Sequence, residues 1–188
     1  MTLAQKRFVD RLKLLRPCTP EALHNARFNI HPKYYNLRAL NQGAFREVFD
    51  VRNKNTSINT IIKFPYDDGS YRGMALAREH ARDEIKAIRH IETDPQCLAL
   101  RRYIPSLLYA DEEAGVIAMP KYQRVPWTMR FYGFVMAFNN LLTDLMPQMR
   151  YEFDDGNANF GRVVEKDGTE NYIILDLGLI GAWYRRKE

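Results

Sequence analysis

The chain has 188 residues and a mass of 22.1 kDa, with 46% hydrophobic and 27% charged residues, a composition that fits one compact domain or two small lobes and excludes disorder and fibrous repeats. Its 28 Lys and Arg against 23 Asp and Glu give a formal charge of +5 and a pI near 9.2, so an acidic partner has to be considered. The excess is local: residues 1–40 hold eight basic and two acidic side chains, a local +6, and residues 41–188 hold twenty and twenty-one, a local −1.

In chain order, residues 2–16 place Ala4, Phe8, Leu12 and Leu15 on one helical stripe, with Lys6, Arg7, Asp10, Arg11 and Lys13 elsewhere and Pro17 as a stop. This predicts a basic amphipathic helix whose stripe packs on the protein's own body, with a membrane surface or nucleic acid as the alternative cover. Pro17, Pro20 and Pro32 mark residues 17–36 as a linker. From Leu37 to Tyr122 come short β-like runs, REVFDV, NTIIKF, SLLYA and GVIAM, separated by KNTS, DDGS and DEEAG, with one helical pattern over 74–92. Residues 126–150 read as mainly helical, and 160–180 as a hairpin around EKDGTE. No run approaches the roughly 20 apolar residues of a membrane span, and MTLAQKRFVD lacks the apolar core of a secretory signal, so a soluble cytoplasmic protein is expected. Cys18 and Cys97 lie far apart without CxxC or Cys/His ligand spacing, so neither a zinc site nor a disulfide is expected.

The chemistry lies in polar residues set where the pattern asks for apolar ones, because a buried charge needs a partner or a metal. Lys63, in Thr60-Ile61-Ile62-Lys63-Phe64, shares a face with Ile61 on an apolar strand. Taking about 100° per residue, Ala77, Ala81, Ile88 and Ile91 fall within about 60° of Glu84, and Glu79 falls about 140° away. A carboxylate inside that stripe, on the helix that follows the lysine strand, suggests a Lys63–Glu84 ion pair; a solvated lysine and a glutamate reaching to water are the alternatives. Asp176 leaves an apolar run beside Leu177-Gly178, where it is a metal ligand or a turn cap. The loop Tyr151-Glu152-Phe153-Asp154-Asp155-Gly156-Asn157-Ala158-Asn159-Phe160-Gly161 crowds carboxylates and amides, oxygen ligands that suit Mg2+ and residues that also favour turns.

Read in order, these features resemble the protein-kinase-like fold over most of residues 40–178. Leu40-Asn41-Gln42-Gly43-Ala44-Phe45-Arg46-Glu47-Val48 resembles the glycine-rich loop over ATP phosphates, with Asn41 and Arg46 standing where the first and third glycines would be. Asp154 and Asn159 have the D-x-x-x-x-N spacing, and Asp176-Leu177-Gly178 resembles Asp-Phe-Gly.

The resemblance implies an α+β, bilobal fold: a basic helix and linker over 1–36, an antiparallel-sheet nucleotide-binding lobe over 37–122, and a reduced helical lobe over 123–188. It implies that Gly43, Phe45, Val48 and Lys63 hold ATP, that Glu84 orients Lys63, and that Met119, Pro120 and Tyr122 form the adenine strand and hinge. It also implies that Asp154 positions an acceptor hydroxyl and that Asn159 and Asp176 bind Mg2+. Glu152 and Phe153 replace the family's His-Arg pair, so control through activation-loop phosphorylation is not expected. Twelve residues follow Asp176, too few for the usual activation segment, Ala-Pro-Glu motif and substrate platform; the shortness resembles compact bacteriophage-type or reduced small-molecule kinases, the former acting in a host cytoplasm.

The expected function is therefore an ATP- and Mg2+-dependent phosphotransferase, a minimal serine/threonine-type protein kinase acting on itself or on a partner docked at residues 1–36. The alternatives are a kinase-shaped interaction module, a small-molecule kinase, and nucleic-acid binding through Lys33, Tyr34 and Tyr35. A serine hydrolase is disfavoured, since Ser57, Ser70 and Ser106 stand outside any G-x-S-x-G turn.

Overall fold

The computed structural model describes residues 1–14, 36–42, 46–53, 56–66, 71–145 and 159–177. Gly43, Phe45 and Asp154, together with Lys33, Tyr34 and Tyr35, lie outside the described residues. The fold is α+β, and the chain divides into two compact units, one of residues 1–85 and 106–121 and one of residues 86–105 and 122–188. No described helix is long and apolar enough to cross a membrane.

The first unit is built on a five-stranded antiparallel sheet of β1 (Asn36–Gln42), β2 (Arg46–Asn53), β3 (Thr56–Pro65), β4 (Tyr109–Asp111) and β5 (Val116–Pro120), in the order β1-β2-β3-β5-β4. Alternation along these strands sends two sets of side chains to opposite faces. Val51, Ile62, Phe64, Val116 and Ala118 form one face, and α1 (Leu3–Leu12) buries Phe8, Val9 and Leu12 against it. The apolar stripe of the basic helix thus packs on the chain's own sheet, each large side chain contributing about 1.5–3 kcal/mol. The helix is shorter than the expected 2–16. It opens with a capping box, in which Gln5 N–H donates to Thr2 Oγ1 at 3.2 Å and Thr2 N–H to Gln5 Oε1 at 2.7 Å, and it ends at the C-cap Lys13.

Register puts Val48 opposite Lys63, Lys63 opposite Ile117, Asp50 opposite Ile61 and Ile61 opposite Met119, so these residues share the other face. A bulge between Val51 and Arg52 leaves Asn59 at φ 55°, a conformation asparagine tolerates better than most residues. The Asn59 carbonyl accepts hydrogen bonds from Gln5 Nε2 at 3.2 Å and Lys121 N–H at 2.8 Å, tying α1 and the end of β5 to the bulge.

Helix α2 (Tyr71–Thr93) spans the expected 74–92 and extends slightly beyond it. Up to Ile85 it belongs to the first unit, and it then continues into the second. Several elements differ from the expected ones: β1 begins inside the anticipated linker, a 3-10 helix, Pro95–Tyr103, follows α2, and residues 123–124 form a short strand. In the second unit α3 (Met129–Leu145) packs Phe131 against Phe160 at 5.0 Å and Phe134 against Tyr172 at 4.9 Å between ring centroids. Phe160 and Tyr172 belong to the hairpin β7 (Phe160–Val164) and β8 (Glu170–Ile174), which pairs with the short β6 (Gln123–Arg124) in a second sheet. Gly161 is required there: a Cβ would stand 2.3 Å from the Tyr122 Cβ.

Asp50 is fully buried on β2 and accepts from Ser57 Oγ at 2.8 Å, Arg52 Nε at 3.0 Å and Lys121 Nζ at 3.1 Å. Burial alone would raise its pKa, but the bonds from Ser57, Lys121 and Arg52 more than offset that and hold it below the ordinary 3.8. A depressed folded-state pKa stabilises above the unfolded value, and the contribution disappears as pH falls through the folded value. Asp50→Asn should therefore cost about 1.5–3 kcal/mol near neutrality, and urea unfolding of both proteins should show the gap narrowing at pH values below the ordinary 3.8; a constant gap would contradict this account.

Candidate functional site

Lys63 lies on β3, the central strand, and is 6% exposed despite its charge. Its Nζ donates to Glu84 Oε1 at 2.7 Å, and the Glu84 side chain is 1% exposed. The helix brings the carboxylate there because Ala77, Ala81, Ile88 and Ile91 are buried along the same stripe. Glu79 is less buried than Glu84, as its angular offset predicts.

The other oxygen of Glu84 is also engaged. Arg46 Nη2 donates to Oε2 at 2.9 Å, and Arg46 Nη1 donates to the Gly115 carbonyl at 3.0 Å. One buried carboxylate thus serves two buried cations. Among the described residues no hydrogen-bond partner meets the buried Arg46 Nε. Gly115 makes the arrangement possible: it has φ 70°, and a Cβ there would lie 3.0 Å from Ala81 Cβ and Pro65 Cγ and 3.2 Å from Arg78 Cα. The β4–β5 turn can therefore lie close to α2 and aim a carbonyl at Arg46.

Sequence reasoning did not find Arg46 as a partner of Glu84, because it stood out only as a missing glycine. Its signal was a charged residue one pleat from Val48 on the face that carries Lys63. Of the residues anticipated for nucleotide contact, two described ones in the sheet share this face, Val48 opposite Lys63 and Met119 opposite Ile61, whereas Pro120 ends β5 opposite Thr60, on the alternate face. Met119 is fully buried. Tyr122, in the second unit, is packed against Gly161.

Asn159 and Asp176 are also in the second unit. Asn159 immediately precedes β7 and Asp176 lies two residues beyond β8, so the Phe160–Ile174 pairing brings the two segments together. Leu175 N–H donates to the Asn159 carbonyl at 2.7 Å and closes the open end of the hairpin. Asp176 is exposed, while Leu177 beside it is buried. The pairing thus brings the backbones of an asparagine and an aspartate close, and amide and carboxylate oxygens are hard donors of the kind that suits Mg2+.

No protein-family model and no curated protein sequence matches the chain. A solved structure does match: the crystal structure of the Rio2 kinase-ADP/Mg2+-phosphoaspartate complex from Chaetomium thermophilum, at a TM-score of 0.52 and 13% sequence identity, over 85% of this chain and 53% of that one. The fold is kinase-like. The chain spans about half the length of that solved chain. The likeness lies in the path of the backbone; what each side chain does has to come from its own surroundings.

Those surroundings set an order of costs. Removing one partner of a buried ion pair strands the other charge, at about 3–5 kcal/mol. Glu84→Gln takes away the carboxylate that Lys63 and Arg46 share, whereas Lys63→Met leaves Glu84 neutralised by Arg46. Urea unfolding should show Glu84→Gln losing about 3–5 kcal/mol and Lys63→Met distinctly less. Equal losses, or the reverse order, would contradict the shared carboxylate.

Proposed function

We propose that the protein is an ATP- and Mg2+-dependent phosphotransferase, a compact serine/threonine-type protein kinase acting on itself or on a bound protein partner. The observation that carries this reading is the buried Lys63, held by Glu84 on the sheet face that also bears Val48 and Met119. A lysine taken out of water and oriented by a carboxylate is a fixed point charge, and oligophosphate is the kind of ligand that uses one.

In this reading Lys63 and the Gly43 loop hold the phosphates, Phe45 and Val48 cover them, and Met119, Pro120 and Tyr122 form the adenine edge. Asn159 and Asp176 hold the Mg2+ that, when bound, neutralises phosphate charge, and Asp154 orients the acceptor hydroxyl and takes its proton. Rio2 kinase, with its ADP/Mg2+-phosphoaspartate complex, lends the reading fold-level support. A bacteriophage-type kinase working in a host cytoplasm, with its partner docked on residues 1–36, is the compact form that we favour.

A second reading, a kinase-shaped interaction module that binds nucleotide weakly, is favoured by Arg46, which puts a long side chain where the glycine-rich loop would keep bare backbone. Two measurements separate the readings. ATP with Mg2+ at 100 times Kd should add about 2.7 kcal/mol to the stability of a kinase, raising its melting temperature. Labelled γ-phosphate should appear on the protein or on lysate proteins, with transfer abolished in Asp176→Asn and reduced about 10²–10⁴-fold in Asp154→Ala. A flat melting temperature without transfer supports the interaction module; transfer undiminished in both variants overturns the roles assigned here.

A further inference from the structure

The end of α2 and the 3-10 helix after it bring together three side chains that the phosphotransferase reading does not use. His90, Asp94 and Cys97 each offer a ligand atom, and these atoms all lie within 4.8 Å of one another. The His90 Nε2 to Asp94 Oδ2 distance is 3.1 Å. All three residues belong to the second unit.

The backbone fixes this grouping before any ligand arrives. Asp94 N–H donates to the His90 carbonyl at 2.8 Å, closing the last turn of α2, and Cys97 N–H donates to the Asp94 carbonyl at 3.0 Å, opening the 3-10 helix. Asp94 also caps that helix: its Oδ1 accepts from Gln96 N–H at 2.8 Å, which leaves Oδ2 turned to the histidine. Arg101 reaches back to the Ile91 carbonyl at 3.2 Å and the Asp94 carbonyl at 3.4 Å, pinning the 3-10 helix to the end of α2. Cys97 is buried, while His90 and Asp94 are partly exposed, so the cluster has a closed side and an open one.

Imidazole nitrogen, thiolate sulfur and carboxylate oxygen together suit a borderline-soft divalent ion, and three protein donors with one open side suit tetrahedral Zn2+ completed by water. Hard cations such as Mg2+ would gain nothing from the sulfur. We propose that His90, Asp94 and Cys97 form a Zn2+ site that fastens the end of α2 to the 3-10 helix. Burial, and then Asp94, push the Cys97 thiol up while Arg101 pulls it down, so the bare site holds a thiol. On binding, the S–H proton passes to solvent, the sulfur–metal bond forms, and nothing is oxidised or reduced.

The test is titration of the reduced, full-length, metal-free protein with Co2+, read by thiolate-to-cobalt charge-transfer absorption and the d–d bands of tetrahedral cobalt. One equivalent of Co2+ should bind, Zn2+ should displace it, and Cys18→Ser should leave the spectrum unchanged. Cys97→Ser should abolish the charge-transfer band. His90→Ala alters a partly exposed position and so spares the core; it should weaken binding by at least the roughly 10- to 100-fold seen when an outer-shell partner is lost. Absence of the charge-transfer band in the wild type, its persistence in Cys97→Ser, or unchanged affinity in His90→Ala would overturn the site. The readout is independent of phosphotransfer.

Discussion

Glu84 is the residue on which the described arrangement of the first unit turns. Its carboxylate is almost wholly removed from water and is satisfied by a lysine from the central strand and an arginine from the neighbouring one. Burying three charges carries a desolvation penalty that direct contact only partly offsets. The protein therefore holds here a costly group that an apolar cluster would replace without loss of packing, and its geometry restricts what surrounds it. Helix α2 must present Glu84 at the correct height, β2 and β3 must keep a register that places Arg46 and Lys63 on one face, and Gly115 must lie close to the helix.

The opposite face of the same sheet shows how ordinary packing supports that group. Phe8, Val9 and Leu12 of α1 close over Val51, Ile62 and Phe64, so alternate residues of β3 serve two purposes: Ile62 and Phe64 build the core, and Lys63 between them presents its charge to α2. A short amphipathic helix gives one side to the sheet and is left with Lys6, Arg7 and Lys13 on its wet side.

How much of this was legible in the sequence depended on whether each residue broke its local period. Lys63 and Glu84 did, one in an apolar strand and the other in an apolar helical stripe, and the sequence alone suggests their pairing. Asp50 did not, because Arg46, Val48 and Asp50 alternate in a way that reads as a solvated strand face; only the folded sheet shows that Arg46 and Asp50 are buried. Arg46 was legible as a departure from a glycine pattern but not as a cation, since its partner depends on strand register. The grouping of His90, Asp94 and Cys97 straddles a helix end and a 3-10 turn, so no single period brings the three together. Asn159 and Asp176 could be expected at one hairpin end from the two apolar runs between them, and the Leu175–Asn159 bond now gives that proximity a physical form.

The central claim is that the buried lysine exists to meet a nucleotide's phosphates. Co-crystallisation with a non-hydrolysable ATP analogue and Mg2+ tests it most directly. The account predicts phosphate oxygens within hydrogen-bonding distance of Lys63 Nζ, with the metal on Asn159 and Asp176. Nucleotide bound elsewhere, or a Lys63–Glu84 pair left without phosphate contact at saturating analogue, would contradict it.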